Sequence, residues 1–146
     1  MLLRRRRRVP LAALAVVVCL AQACRRSGSE VEVLEHAGKW ESGYGAKFYN
    51  VVGRLKNVTD HPVAYVTLRI DALDAGGKVV ASTETYNESA EVLGVPEVDG
   101  KALLAQGKIK QIPAGGEERF RGSFLAEETP AFETYRVTVV EVPAAP

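Results

Sequence analysis

Two cysteines and two histidines are the side chains of this 146-residue sequence best suited to nucleophilic or metal chemistry. Cys19 and Cys24 lie close together near the amino terminus, whereas His36 and His61 are far from them and from each other. A structural zinc site needs four such ligands, usually in closely spaced pairs. This arrangement does not supply them, so we expect no metal and no cofactor, with both histidines solvated at the surface.

Recognisable catalytic motifs are also absent from the sequence. No serine lies in a Gly-x-Ser-x-Gly turn, and there is no phosphate-binding loop and no zinc-binding helix motif. Asp60 and His61 are adjacent in a predicted turn, which does not make a catalytic triad. We therefore expect a protein that is not an enzyme, and a hydrolase is the third-ranked hypothesis.

The first 23 residues have the layout of a secretory signal peptide. Residues 4–8 are five arginines, and residues 9–21 are uncharged and rich in Leu, Val and Ala. The uncharged run up to Cys24 has 16 residues, whereas a membrane-spanning helix needs about 20. We expect a cleaved signal helix over residues 1–23, and an uncleaved anchor is the less favoured alternative.

The stretch Leu-Ala-Gln-Ala-Cys at residues 20–24 resembles the lipobox of bacterial lipoproteins. The resemblance implies that Cys24 receives a diacylglyceryl group and becomes the first residue of the mature chain. Residues 24–30 are then the lipidated cysteine and a short tether. Arg25 stands where lipoproteins retained in the inner membrane usually have Asp, which implies an outer-membrane location. Alternatively, residues 21–23 read as an Ala-x-Ala site for ordinary signal peptidase, which would release a soluble protein.

The charge of the remaining chain argues against a nucleic-acid partner. The whole sequence has 19 basic and 18 acidic residues, but five of the basic ones are the signal arginines. Without them, 14 basic residues face 18 acidic ones, which leaves a net charge of about −4. Nucleic-acid binding needs clustered cations.

The pattern of residues 31–146 predicts an all-β domain. Val66, Leu68, Ile70 and Ala72 alternate with polar residues, and the same period of two recurs in other short segments between Gly, Pro, Asn and Asp turns. The predicted strands cover residues 30–38, 47–57, 63–73, 78–86, 107–112, 118–124 and 134–142. About seven strands in this length are typical of an immunoglobulin-like antiparallel β-sandwich.

Several turn and core positions of this domain resemble the FxLYD family, which consists of small β-sandwiches found largely in bacterial lipoproteins and secreted proteins. Gly53 and Asn57 match a Gly-x-x-x-Asn strand end. Pro113, Gly115 and Phe120 match a Pro-Gly turn before a Phe-containing strand. At the position of the name motif, residues 70–74, only the aspartate is identical. The resemblance implies a shape and brings no catalytic residues.

Two features are candidates for contacts with a partner. Trp40 and Tyr44, with Phe48 and Tyr49, are candidates for an aromatic platform, although such clusters usually belong to the core. The connection over residues 87–106 is long for a sandwich, and long loops often carry recognition. Its apolar Val92, Leu93 and Val95 are the candidate contacts there, unless it is only a folded-back loop with one helical turn.

Together these observations predict a lipid-anchored, non-enzymatic protein of the bacterial cell envelope, held in the outer membrane by acyl chains on Cys24. Its sandwich would be an interaction or structural module with a possible protein partner in the envelope. The alternative is a soluble secreted or periplasmic protein that binds a ligand.

Overall fold

A computed structural model describes residues 29–146 as two antiparallel sheets of three strands each, with two short helical segments. The sequence prediction of an all-β sandwich is confirmed. The elements are β1 (Val31–Gly43), β2 (Ala46–Asn57), β3 (Thr67–Leu73), β4 (Val79–Tyr86), a 3₁₀ helix (Glu88–Gly94), α1 (Gly100–Ala105), β5 (Glu117–Leu125) and β6 (Thr134–Glu141).

The strand order follows the immunoglobulin pattern. One sheet has the order β1-β2-β5 and the other the order β4-β3-β6. These correspond to strands A, B and E and to strands C′, C and F of an immunoglobulin-like sandwich. The 3₁₀ helix and α1 lie in the connection that would carry strand D. Within residues 29–146, no strand occupies the place of strand G beside β6.

The core lies between the two central strands, as the alternation in the sequence predicts. Val51 and Leu55 of β2 and Leu68 and Ile70 of β3 are all fully buried. Phe120 of β5 packs against them and is 2% exposed. Burial of one face of each strand requires apolar residues at every second position, which is why these strands could be predicted.

Gly53 interrupts the apolar row of β2 because there is no space for a side chain there. A Cβ atom at this position would lie 2.5 Å from the carbonyl oxygen of Glu35 and 2.5 Å from Cζ of Phe120. The Phe120 ring therefore occupies the volume that a side chain at Gly53 would need. The match to the FxLYD pattern at these two positions thus has a packing explanation.

Strand β1 is longer than the sequence predicts. An irregularity between Val33 and Glu35 shifts the pairing with β2, so that Gly38 and Trp40 point towards the other sheet. The hairpin then closes through Tyr44 and Gly45, whose φ angles of 53° and 79° are typical of a type I′ turn. The bulge breaks the period of two, and the second half of the strand therefore has no sequence signature.

The strand predicted over residues 107–112 is wrong. Ile109 and Ile112 are both buried, but they are three positions apart, which does not fit the period of a strand. Only one isolated bridge forms, between Val63 and Ile112, and Pro113 has no N–H to extend it. This segment is a buried irregular connection, and the described part of the sandwich has six strands.

The irregular connection around Ile112 has few strand hydrogen bonds, and the side-chain amide of the fully buried Asn57 bonds some of its backbone carbonyl groups instead. Its Nδ2 lies 2.8 Å from the carbonyl oxygen of His61 and 3.1 Å from those of Ile112 and Pro113. Its Oδ1 accepts hydrogen bonds from the backbone and side chain of Thr59. One side chain thereby links the end of β2 to two loops.

Candidate functional site

The predicted aromatic platform is distributed over three places. Trp40 packs against Tyr49 and Phe132, with ring centroids 5.2 and 5.8 Å apart. Phe48 pairs with Glu41 and faces away from this cluster. Tyr44 is fully exposed at the tip of the β1–β2 hairpin. The structure therefore does not bring the four predicted residues together.

The ring of Trp40 is not free for a ligand to stack on. The ammonium group of Lys47 lies 5.0 Å from its centroid, a cation–π contact. Tyr49 and Phe132 contact it from the core. Trp40 remains 45% exposed, and its position indicates that it closes one end of the core.

A histidine belongs to the same aromatic group, and sequence reasoning did not identify it there. His36 Nδ1 lies 2.9 Å from the hydroxyl oxygen of Tyr135, and the ring of Tyr135 contacts that of Tyr49. Burial raises the pKa of Tyr135. His36 stays exposed, as expected from the sequence, but the bulge in β1 places it on the side of the strand that faces Tyr135, and no pattern in the sequence reveals this contact.

The connection over residues 87–106 folds back onto the sandwich. The 3₁₀ helix packs between β4 and β5, where Ala90 is fully buried and Ser89 Oγ donates to the carboxylate of Glu118. Asp99 then caps α1 by accepting a hydrogen bond from the backbone N–H of Ala102. This agrees with the alternative of a folded-back loop with a helical turn, since α1 spans Gly100–Ala105.

The predicted contacts in this connection differ in exposure. Val92 and Val95 are 37% and 43% exposed, whereas Leu93 is half-buried. Leu93 helps to line a groove of about 350 Å³ between the sandwich and α1. Val92 and Val95 do not line it.

This groove is a concave feature beside the predicted contacts. Its walls are Tyr65, Tyr86, Leu93, Val98, Asp99, Gly100, Lys101 and Leu104. The rings of Tyr65 and Tyr86 meet edge to face at 5.9 Å. Burial, and then the negative charge of Glu141, raise the pKa of Tyr65. Small-molecule sites occupy about 300–1,000 Å³, so the groove could hold a small apolar group beside the Lys101 ammonium group.

Asp71 is a buried carboxylate on the outer face of the β4-β3-β6 sheet. Its side chain is 3% exposed and accepts hydrogen bonds from Ser82 Oγ at 2.6 Å and from an Arg136 nitrogen at 2.8 Å. Arg69 lies 3.4 Å away. The hydrogen bonds from Ser82 and Arg136 lower the pKa of Asp71. The carboxylate links all three strands of its sheet, which is a structural task.

The remaining predictions concern metals and the membrane. Among residues 29–146, no three His, Cys, Asp or Glu side chains are close enough to one another to form a metal site. The same part of the chain has no helix that is both long and apolar enough to cross a bilayer. The signal segment, Cys24 and most of the tether lie outside the described residues.

Comparisons with known proteins leave the family open. No protein-family model matches the sequence, and no match is found among curated proteins or among solved structures.

Proposed function

We propose that this protein is a lipid-anchored, non-enzymatic module of the bacterial cell envelope, attached to the outer membrane through acyl chains on Cys24. The observation that carries the proposal is the lipobox-like stretch ending at Cys24, only seven positions before the first buried residue of the sandwich, Val31. A folded domain thus begins immediately after the attachment site.

The short tether would hold the sandwich close to the membrane. Seven extended residues span at most about 25 Å, at about 3.5 Å each. Val31 pairs with Asn57, so the Asn57 end of the sandwich would be the end nearest the attachment site. The thirteen residues of β1 extend about 40 Å from there, at about 3.3 Å each. Tyr44, at the tip of the hairpin, would then lie at the end of the sandwich farthest from the attachment site.

The FxLYD-like assignment of the domain is part of the proposal. It is supported by the roles of the matching residues, because Gly53 makes space for Phe120 and Asn57 joins two loops. Gly115, in the matching turn, has a φ angle of 71°. These residues maintain the sandwich, which agrees with a family defined by shape.

Several polar side chains that could carry chemistry are engaged in structural contacts. Asp71 is held by Ser82 and Arg136, and His36 is bonded to Tyr135. A role in contacts with other molecules is therefore favoured over catalysis. The exposed Tyr44, Val92 and Val95 are the proposed contacts with a protein partner in the envelope.

A second candidate function rests on the groove beside α1. The aromatic walls of Tyr65 and Tyr86 and the cation of Lys101 suit a small apolar ligand with an anionic group. This is the site that a soluble periplasmic binding protein, released by ordinary signal peptidase, would use.

The mass of the mature amino terminus tests the anchor. We expect Cys24 to be the first residue and to carry acyl chains, which adds several hundred daltons. Cys24→Ser should leave unprocessed precursor or release soluble protein, whereas Cys19→Ser should be processed and anchored as wild type. An unmodified amino terminus at Cys24 would refute the anchor and favour the soluble alternative.

A further inference from the structure

The two sheets have four edge strands, and two of these edges cover each other. On one side of the sandwich, β4 and β5 approach closely, and an isolated bridge joins Asn87 to Phe120. Thr85 Oγ1 also donates to the carbonyl oxygen of Arg121. The 3₁₀ helix packs against both strands. This side therefore offers no edge for another strand.

The edge of β1 carries features that discourage pairing with another strand. Its ladder to β2 is interrupted by the bulge between Val33 and Glu35. Charged side chains recur along its exposed positions, including Glu32, Glu35, Lys39 and Glu41. Bulges and charges are the usual protection of an edge strand against edge-to-edge association.

The edge of β6 lacks this protection. In the described residues, Thr134–Val139 have no backbone hydrogen bonds beyond the ladder to β3. The segment is rich in Val, Thr and Tyr, and its one charged residue, Arg136, is already paired with Asp71. The irregularity in its pairing comes only at its end, near Val140, which is 48% exposed. Such a strand is a template for strand addition.

We propose that β6 pairs with β6 of a second copy of this chain, in antiparallel orientation, so that two three-stranded sheets join into one of six strands. Closed two-fold assemblies are the commonest oligomers. The position used is that of strand G, for which residues 29–146 supply no strand.

The sequence of β6 is compatible with pairing to itself. Residues directly opposite each other on antiparallel strands lie on the same face of the sheet. With the two-fold axis at Val137, Val137 faces its own copy, Tyr135 faces Val139, and Arg136 faces Thr138. Apolar residues then meet on the inner face, and no two like charges are opposed between Tyr135 and Val139. Glu133 and Glu141 come opposite each other only beyond the irregularity near Val140. An axis at Arg136 would place two arginines opposite each other, so we exclude it.

The dimer is compatible with attachment to a membrane but does not depend on it. The two-fold axis of two antiparallel strands is perpendicular to their sheet. If this axis stands along the membrane normal, the strands lie parallel to the membrane surface, and both copies can reach the same membrane through their tethers. If the lipid anchor is refuted, the dimer can still form, and if the dimer is refuted, the lipid anchor can still be correct.

Crosslinking of the full chain in cells tests the dimer. In the proposed register, two copies of Thr138 are diagonal neighbours, about 7–8 Å apart. We would introduce Thr138→Cys, treat the cells with a short bismaleimide, and co-express two differently tagged copies to identify the product. Ala37→Cys places the same thiol at an exposed position of the other open edge, β1, and serves as the matched control with wild type.

The expected result is a product of twice the chain mass that contains both tags, formed by Thr138→Cys and not by either control. Thr138→Lys should abolish co-purification of the two tagged copies, because the new cation would face Arg136, whereas Ala37→Lys should retain it. Absence of a two-tag product would overturn the proposal. A product with another protein alone would also overturn it, and would show that β6 accepts a strand from a different partner.

Discussion

Gly53→Ala should strongly destabilise the sandwich although it adds only one methyl group. The new Cβ would lie 2.5 Å from the carbonyl oxygen of Glu35 and from Cζ of Phe120, and 2.6 Å from Cε1 of Phe120. Overpacking of a core costs about 1–3 kcal/mol. We expect about 3 kcal/mol, the upper end of that range, because one of the atoms is backbone and cannot rotate away.

A double-mutant cycle with Phe120→Leu separates the two clashes. Removing the ring relieves the contacts with Phe120 but leaves the contact with the Glu35 carbonyl. Phe120→Leu alone should cost about 1.5 kcal/mol. The double variant should then be about 1 kcal/mol more stable than the sum of the two single changes predicts, within the usual range for contacting residues.

Urea unfolding of the chain from residue 29 onward, followed by the fluorescence of its single tryptophan, Trp40, measures these energies. Gly43→Ala is the matched control, because it lies in the same hairpin with nothing within 4 Å of the added Cβ. It should change stability by less than about 1 kcal/mol. Equal effects of the two alanines, or strict additivity in the cycle, would refute the packing argument.

Three further predictions concern the sheets and the long connection. The folded-state pKa of Asp71 is lowered, so its stabilisation is present above the unfolded pKa of about 3.9 and is lost as the pH falls through the folded value. Asp71→Asn should therefore cost about 1.5–3 kcal/mol at pH 7 and flatten the acid limb of a stability–pH profile; an unchanged limb would contradict this. Ile70→Ala should cost about 2–5 kcal/mol and the half-exposed Arg69→Ala less than about 1 kcal/mol in urea unfolding, whereas equal costs would mean that the strand faces are reversed. Ala90→Asp should lower the free energy of unfolding by about 3–5 kcal/mol, because it buries an unpaired charge, whereas Val95→Ser should change it by less than about 0.5 kcal/mol. Equal melting temperatures of the two variants would mean that the 3₁₀ helix does not pack on the sandwich.

The central strands were predictable because their burial depends on local alternation alone. The inward positions of β2 from Tyr49 to Leu55 are apolar or, at Gly53, small, and those of β3 are Leu68, Ile70 and Ala72; the polar positions between them face outward. The turn at Asp74 could also be predicted, because its side chain accepts hydrogen bonds from the backbone N–H groups of Gly76 and Lys78 only a few residues away. Interactions between residues only a few positions apart can be predicted from the sequence.

The candidate site was less predictable because its residues are distant in the chain. The groove brings Tyr65 and Tyr86 against α1, across a connection whose path the sequence does not specify. Trp40 was identified by its type, but its contacts with Lys47 and Phe132 depend on the bulge in β1 and on the packing of the two sheets. A pattern of residue types alone does not indicate which rings are already covered.

The sequence by itself thus determined the period-two strands and the turns, because each of these is encoded by neighbouring residues. Tertiary structure alone decided the bulge of β1, the burial of Asp71 on an outward face and the irregular path around Ile112. It also decided which edge remains unpaired, since β6 is exposed only because no other strand of the described domain lies beside it. These features arise from contacts between segments that are far apart in the chain, and local periodicity carries no record of such contacts.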